Sequence, residues 1–251
     1  MSSAPPAVLA CAASDPTGGA GVQADLLTIA ALGCHPLSVV TALTVQDTSG
    51  VEAVQPVEAR WVEAQARRLL AELSVAAIKL GVLGSAENAF ALAPLLAAQK
   101  VPLVVDPVLA SARGDELASE QSVAALKQAI FPLATVATPN LPEAERLGGV
   151  ARILELGCRY VLVTGTHADT PEVVNTLYDR SGVVREDRWP RLAGSYHGSG
   201  CTLASAIAAL LAQGRDLPRA VGEAQEFTWR ALEAGFRPGG GQFIPQRFFK
   251  Q

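Results

Sequence analysis

Short apolar runs alternate along the chain with longer segments in which apolar residues recur every three or four positions. The runs are rich in Val, Ile and Leu and are continuous, which is typical of strands covered on both faces. The longer segments have the periodicity of helices. The predicted strands are Val8 to Ala12, Leu37 to Thr44, Val75 to Leu80, Val101 to Asp106, Thr135 to Thr138 and Tyr160 to Thr164.

Helical segments lie between these strands, and this alternation predicts an α/β fold with a mostly parallel sheet between two helical layers. After Thr164 the pattern changes to a hairpin around Asp179 to Gly182, followed by two helices. No linker or internal repeat interrupts residues 1–251, so we expect one domain. The predicted helices are Gly21 to Leu32, Glu58 to Glu72, Ser85 to Ala98, Glu120 to Ile130, Pro142 to Leu156, Cys201 to Ala212 and Leu217 to Ala234.

Composition and charge narrow the function classes. The net charge is −4, so no basic surface favours nucleic acid or anionic membrane. No uninterrupted apolar stretch is long enough to predict a membrane span, and the amino terminus lacks the pattern of a signal peptide. The 4 cysteines have no metal-binding spacing, which indicates reduced thiols and a cytoplasmic location.

Two loops that follow predicted strands are candidates for a substrate site, because ligands of parallel sheets lie at the carboxyl ends of the strands. The first runs from Ala13 to Gly21, where Gly18 and Gly19 allow the backbone to approach a ligand closely. Its spacing matches neither a P-loop nor a dinucleotide-binding fingerprint. Asp25 follows in the next helix, as a ligand acceptor or a solvated first-turn carboxylate. Gln46 lies in the loop after the second strand and suits the edge of a heterocycle, although the sequence alone favours a plain polar loop residue.

A second set of strand-end residues predicts a site for magnesium and phosphate. Asp106 ends the fourth strand, and Asn140 and Glu143 follow the fifth. Magnesium prefers oxygen ligands and keeps several waters, so Asp106 and Glu143 suffice as protein ligands. The Asn140 to Glu143 segment also has the spacing of a helix capping box, and the two interpretations are compatible.

The segment His197-Gly198-Ser199-Gly200-Cys201 carries the most specific signal, because it leads directly into a helix of small residues. Two glycines allow successive backbone N–H groups to point at one spot, and the helix dipole adds positive potential there. Such a turn suits the stabilisation of charge on a transferred phosphoryl group, and the alternative is a structural glycine-rich turn with a buried cysteine. We expect Cys201 to have a lowered pKa at the helix N-terminus, and His197 to hydrogen-bond or transfer a proton.

Together these motifs resemble the bacterial hydroxymethylpyrimidine/phosphomethylpyrimidine kinases of thiamine biosynthesis, which have a ribokinase-like fold. The resemblance rests on the block from Ala12 to Leu26 and on HGSGCTLASAIAALLA, with TALTVQDTSGV, AAIKLGVLG, VDPVL and TPNLPEAE between them in order. It implies two successive phosphoryl transfers from ATP. The acceptors are 4-amino-5-hydroxymethyl-2-methylpyrimidine and then its monophosphate.

The resemblance also implies residue roles. Asp25 and Gln46 bind the aminopyrimidine, Lys79 and Val82 line its side of the site, and Val108 closes it. Asp106 and Glu143 order magnesium and phosphates, and Cys201 takes the position of the aspartate base of related sugar kinases. The further positions implied are Ala13, Gly18 and Gly19 for the substrate, Asn140, Thr164 and Gly165 for ATP, and Gly198, Ser199 and Gly200 in catalysis with His197 and Cys201.

Several positions depart from the family pattern: Ala13 stands for Gly, Asp47 for Asn, Val82 for Met, Thr164 for Lys, and Arg113 for a frequent Lys. Pyridoxal kinase activity is an alternative, because some pyridoxal kinases share the cysteine motif. A pyrimidine-binding regulator without turnover is a third hypothesis. We also expect a homodimer and a possible monovalent cation besides ATP and Mg²⁺.

Overall fold

The computed structural model describes residues 4–110 and 117–249, which form one nine-stranded sheet with helices on both faces. The strand order across it is β3-β2-β1-β4-β5-β6-β7-β8-β9. The strands are β1 (Ala7–Ser14), β2 (His35–Gln46), β3 (Val51–Pro56), β4 (Val75–Leu80), β5 (Leu103–Val105), β6 (Val136–Ala137), β7 (Tyr160–Thr164), β8 (Glu172–Asp179) and β9 (Gly182–Pro190).

The helices fill the connections between the parallel strands. Pairings from β2 through β7 are parallel, whereas β3, β8 and β9 add antiparallel strands at the two edges. The helices are α1 (Gly21–Ala31), α2 (Ala59–Glu72), α3 (Ala86–Ala97), α4 (Glu120–Ala125), α5 (Leu141–Arg146), α6 (Gly149–Glu155), α7 (Ser199–Ala212) and α8 (Leu217–Glu233).

The core lies in two layers, one on each face of the sheet. Alternate residues of β1 serve the two layers, because successive side chains of a strand point to opposite faces. Leu9 and Cys11 pack with α2, α3 and the helices that follow β5, and Val8 and Ala10 pack with α1, α7 and α8. This arrangement confirms the expected three-layer α/β/α fold with a mostly parallel sheet.

Three details differ from the sequence-based prediction. The predicted helix from Pro142 to Leu156 is broken into α5 and α6, because Gly148 and Gly149 have φ values of 99° and 87°. The chain from Leu126 to Ile130 widens into a π-helical turn at the end of α4. β3 was missed, because its residues are largely exposed and lack the continuous apolar pattern of buried strands.

None of the helices in the described ranges combines the length and apolar character needed to cross a membrane.

Candidate active site

A cavity of about 520 Å³ lies at the carboxyl ends of the parallel strands, where the sequence analysis expected the ligands. It is bounded on one side by the first loop and β2, and on another by the ends of β8 and β9 and by α8. Of the predicted site residues, those lining it are Ala13, Gln46, Lys79, Val82, Asp106, Val108, Asn140, Glu143, Thr164, His197, Gly198, Ser199, Gly200 and Cys201.

Four predicted site residues, Gly18, Gly19, Asp25 and Gly165, do not line the cavity. Asp25 is fully buried, so the carboxylate expected to contact the pyrimidine has protein partners instead. Gly18 and Gly19 shape the first loop from behind. Gly165 donates its N–H to Asn175 Oδ1 at 3.0 Å, and a Cβ there would lie 2.2 Å from the carbonyl oxygen of Val174. These positions therefore support the cavity without lining it.

The turn before α7 has the geometry of an anion site. Gly198 has a φ of 82° and accepts a hydrogen bond from the Thr202 N–H, which closes the first turn of the helix. The N–H groups of Ser199, Gly200 and Cys201 have no acceptor within the helix, because such partners are missing in any first turn. These three donors line the cavity, where the helix dipole adds positive potential.

Backbone contact between two loops holds this turn in place. A Cβ on Gly198 would lie 1.9 Å from the carbonyl oxygen of Gly19. A Cβ on Gly19 would lie 2.5 Å from the ring of His197. Glycine at position 198 therefore permits the close backbone contact between the two loops, and glycine at position 19 leaves room for the ring of His197.

The expected thiolate at Cys201 is not what the structure gives. Burial raises the pKa of the Cys201 thiol to about 12, and the carboxylates of Asp106 and Asp25 add to the effect. The ammonium of Lys79 and the N–H of Gly21 only partly oppose it. The prediction of a lowered pKa was wrong because desolvation exceeds the helix dipole here, so Cys201 is a neutral thiol at neutral pH.

Asp106 and Glu143 form a pair of buried carboxyl groups in the cavity wall. Burial raises the pKa of Asp106 to about 6, which Lys79 partly opposes. Burial and then the charge of Asp106 raise the pKa of Glu143 to about 7. The Glu143 carboxylate also accepts the Asn140 N–H at 2.9 Å in the predicted capping box.

These two carboxyl groups fit a magnesium ion. Asp106 Oδ2 is buried and has no hydrogen-bond partner within the described residues. Both carboxyl groups have raised pKa values, so a bound cation would remove an electrostatic cost that Lys79 offsets only in part. No group of three or more His, Cys, Asp and Glu side chains that could hold a metal ion occurs in the described ranges.

In the wall of the cavity, Lys79 is the centre of a buried ion pair. Its Nζ lies 2.8 and 2.9 Å from the two carboxylate oxygens of Asp25 and 4.0 Å from Asp106 Oδ2. Burial alone would lower the pKa of Lys79, but these carboxylates raise it, so the side chain stays charged. Ser205 of α7 donates to Asp25 at 2.8 Å, which ties the helix of the turn to α1 and β4.

Asp15 is a site residue that the sequence analysis did not single out. Its Oδ2 accepts from His197 Nε2 at 2.8 Å, and the N–H of Ala20 donates to the same oxygen at 2.7 Å. Thr17 donates both its N–H and its hydroxyl. Although burial acts in the opposite direction, these hydrogen bonds keep the pKa of Asp15 well below its usual range. His197 is thereby fixed beside Gln46, whose Nε2 lies 3.2 Å away.

The far end of the cavity contains residues with no sequence motif. The rings of Trp189 and Trp229 stack with centroids 6.2 Å apart. Gln225 accepts from Trp189 Nε1 at 3.1 Å and from Asn175 Nδ2 at 2.9 Å. Arg191 donates to the carbonyl oxygens of Thr166, Ala168 and Thr170, fixing the loop after β7.

Of the positions that depart from the family pattern, Arg113 lies outside the described residues.

Comparison with known proteins agrees with the family resemblance found in the sequence. The family model described as phosphomethylpyrimidine kinase matches residues 15–246. A hydroxymethylpyrimidine/phosphomethylpyrimidine kinase of Streptomyces coelicolor is 43% identical over 253 residues, covering 94% of this chain and 92% of the relative.

Solved structures agree on the fold. A phosphomethylpyrimidine kinase from Clostridium difficile is 33% identical, with a TM-score of 0.78 over 90% of this chain and 99% of that one. A pyridoxal kinase from Staphylococcus aureus in complex with AMP-PCP and pyridoxal is 28% identical, with a TM-score of 0.89 over 99% and 96%. The expected ribokinase-like fold is thereby confirmed.

Proposed function

The chain belongs to the phosphomethylpyrimidine kinase family, and on that basis we propose that it carries out both phosphorylations of the aminopyrimidine branch of thiamine biosynthesis. The first transfer from ATP goes to the hydroxymethyl oxygen of 4-amino-5-hydroxymethyl-2-methylpyrimidine. The second goes to a phosphate oxygen of the monophosphate and gives the diphosphate.

One geometric observation carries this proposal: the turn before α7 (His197 to Cys201) and the Asp106–Glu143 pair line the same cavity. Phosphoryl transfer needs little covalent chemistry from the protein, but it needs reactants in line and stabilisation of the charge that develops. The N–H groups of Ser199, Gly200 and Cys201 supply fixed donors for that charge. The carboxyl groups of Asp106 and Glu143 would hold Mg²⁺, which would supply positive charge to offset that of the ATP phosphates.

The two ends of the cavity suit the two reactants. Gln46, held beside His197, presents a donor and an acceptor to the pyrimidine edge. Ala13 and Val82 line the cavity, so the family departures at these positions change the shape of the proposed substrate pocket. Thr164 and Asn140 lie on the proposed ATP side. A complex with AMP-PCP, an ATP analogue, in the Staphylococcus aureus relative supports that cosubstrate.

In this proposal Asp25 acts from behind the wall, as the carboxylate that keeps Lys79 charged beside Asp106 and Cys201. Gly18, Gly19 and Gly165 act through the loops that they shape. We further propose that the chain works as one kinase domain, as a homodimer in the cytoplasm, with a monovalent cation as a further activator. Size-exclusion chromatography with light scattering tests the dimer, and replacing K⁺ with a large organic cation tests the activator.

The experiment that tests the function is a steady-state assay of the purified protein with ATP, Mg²⁺ and the hydroxymethylpyrimidine. We expect saturable ATP consumption that depends on the pyrimidine. Binding of the pyrimidine without consumption of ATP would instead support the regulator hypothesis.

Pyridoxal kinase activity is the second candidate, favoured by the TM-score of 0.89 to the Staphylococcus aureus enzyme. Identity is higher to the pyrimidine kinases than to that enzyme, at 43% against 28%, so we expect the pyrimidine to be the better substrate. Measurement of kcat/KM for both acceptors with the same protein separates the two activities. A larger value for pyridoxal would reverse the assignment.

Replacement of Cys201 tests whether its thiol contributes to the transfer step. We expect Cys201→Ala to lower kcat about 10- to 100-fold while the KM for the pyrimidine stays within about twofold. The thiol interacts with Asp106 and lies beside the turn, whereas the proposed pyrimidine contacts lie elsewhere. Cys34→Ala is the matched control. Cys34 is also a buried thiol, but it lies between α1 and β2, at the amino end of that strand, and does not line the cavity. An unchanged kcat in Cys201→Ala removes the thiol from the mechanism.

The carboxyl pair gives a pH-dependent requirement for magnesium. Protons compete with Mg²⁺ for Asp106 and Glu143, whose pKa values are raised to about 6 and about 7. Below about pH 7 one carboxyl is protonated, and below about pH 6 both are. The half-saturating Mg²⁺ concentration should therefore rise by about tenfold per pH unit between these values and by up to about 100-fold per unit below them. The measurement is a Mg²⁺ titration of the initial rate at several pH values. Glu143→Gln should move the onset to lower pH, and an Mg²⁺ requirement independent of pH would contradict this site.

A further inference from the structure

Arg247, close to the carboxyl end of the chain, is a buried cation without a carboxylate partner. Its side chain is only 3% exposed, and it forms no ion pair with any described residue. A buried charge is costly unless an opposite charge or several hydrogen bonds compensate it. Burial accordingly lowers the pKa of Arg247.

The guanidinium of Arg247 connects the first loop to the turn before α7. Nη2 donates to the carbonyl oxygen of Gly19 at 2.6 Å, and Nε donates to Thr202 Oγ1 at 3.1 Å. The Thr202 hydroxyl in turn donates to the carbonyl oxygen of Gly198 at 2.8 Å. Arg247 therefore holds the first loop and the turn from behind, without lining the cavity.

The acidic groups near Arg247 already have other partners. Asp25 pairs with Lys79, and Asp15 binds His197 and the N–H groups of its own loop. Cys201 is a neutral thiol because of its raised pKa. The positive charge of Arg247 is thus available to a negative charge placed in the turn.

We propose that Arg247 is a positioning residue whose counterion is the phosphate group of a bound ligand, so that it favours the phosphorylated pyrimidine over the neutral alcohol. The charge acts through the Gly198 turn, which it also holds in place. This inference rests on the proposed function, because it assigns the preference between the two acceptors of that reaction.

Binding measurements on Arg247→Met test the inference, because this variant removes the charge at similar volume. By isothermal titration calorimetry, we expect the Kd of the pyrimidine monophosphate to rise about tenfold or more, and the Kd of the hydroxymethylpyrimidine to change less than about twofold. Arg247→Lys should restore most of the affinity for the monophosphate, since it returns the charge. Equal weakening of both ligands, or no weakening of the monophosphate, would overturn the proposal.

Two further measurements separate this inference from the proposed function and from a folding defect. Binding of inorganic pyrophosphate should weaken in Arg247→Met even if wild type proves inactive on the pyrimidine, whereas retained pyrophosphate affinity would count against Arg247. Arg230→Met removes an exposed charge paired with Glu226 and should leave both affinities unchanged. Where Arg247→Met does not fold, the comparison of wild type with Arg247→Lys decides: a loss of monophosphate affinity beyond about tenfold despite the kept charge would overturn the charge assignment.

Discussion

Gly198→Ala is expected to lower kcat by about 100-fold or more, because it displaces the donors that stabilise the transferred phosphoryl group. The added Cβ would lie 1.9 Å from the carbonyl oxygen of Gly19, a backbone atom that no rotamer change can move. A φ of 82° adds strain for any residue with a Cβ. Either the turn or the first loop must move. In both cases the N–H groups of Ser199, Gly200 and Cys201 no longer point at the position of the transferred phosphoryl group.

Gly214→Ala is the matched control for this prediction. Gly214 follows the same helix and has a φ of 84°, but a Cβ there would meet no atom within 4 Å. It therefore imposes comparable backbone strain far from the turn, and its kcat should match wild type. If Gly198→Ala turns over as fast as Gly214→Ala, the turn is not the anion site.

Lys79→Met is expected to produce the largest loss of stability, about 3–5 kcal/mol in the free energy of unfolding. The substitution leaves the fully buried carboxylate of Asp25 without its cation and removes a positive charge from beside Asp106. For a chain of this size, the loss corresponds to a Tm lower by about 6–20 °C. Thermal and urea unfolding followed by circular dichroism measure both quantities.

The double variant Asp25→Asn/Lys79→Met separates the loss of the ion pair from the loss of packing. It should recover a substantial part of the stability, because no isolated charge remains buried. Arg219→Met, which breaks an exposed ion pair with Glu223, should cost less than about 1 kcal/mol. Additive effects of Asp25→Asn and Lys79→Met would show that the two residues do not interact as described.

Local patterns in the sequence were sufficient to predict most of the fold. Continuous apolar runs predicted the central parallel strands, and the Asn140 to Glu143 spacing predicted a capping box that the structure confirms. The predicted helix from Pro142 to Leu156 failed because its apolar periodicity continues across Gly148 and Gly149. β3 was missed because an exposed edge strand needs no apolar pattern.

The candidate site was less predictable where it depends on contacts between distant segments. The turn at Gly198 could be found from its spacing, since its donors are backbone groups of one short stretch. The burial of Asp25 and the raised pKa of Cys201 could not, because both depend on α1, β4 and α7 meeting beneath the cavity. Arg247 lies in a segment with no motif, and its partners Gly19 and Thr202 are remote in sequence.

A time course of products from one reaction mixture tests the central claim most directly. Wild-type protein, ATP, Mg²⁺ and 4-amino-5-hydroxymethyl-2-methylpyrimidine are combined, and the pyrimidine species are separated by anion-exchange chromatography. We predict that the monophosphate appears first and is then converted to the diphosphate, with both steps slowed in Gly198→Ala. Binding of the pyrimidine with no phosphorylated product, or equal product from wild type and Gly198→Ala, would contradict the account.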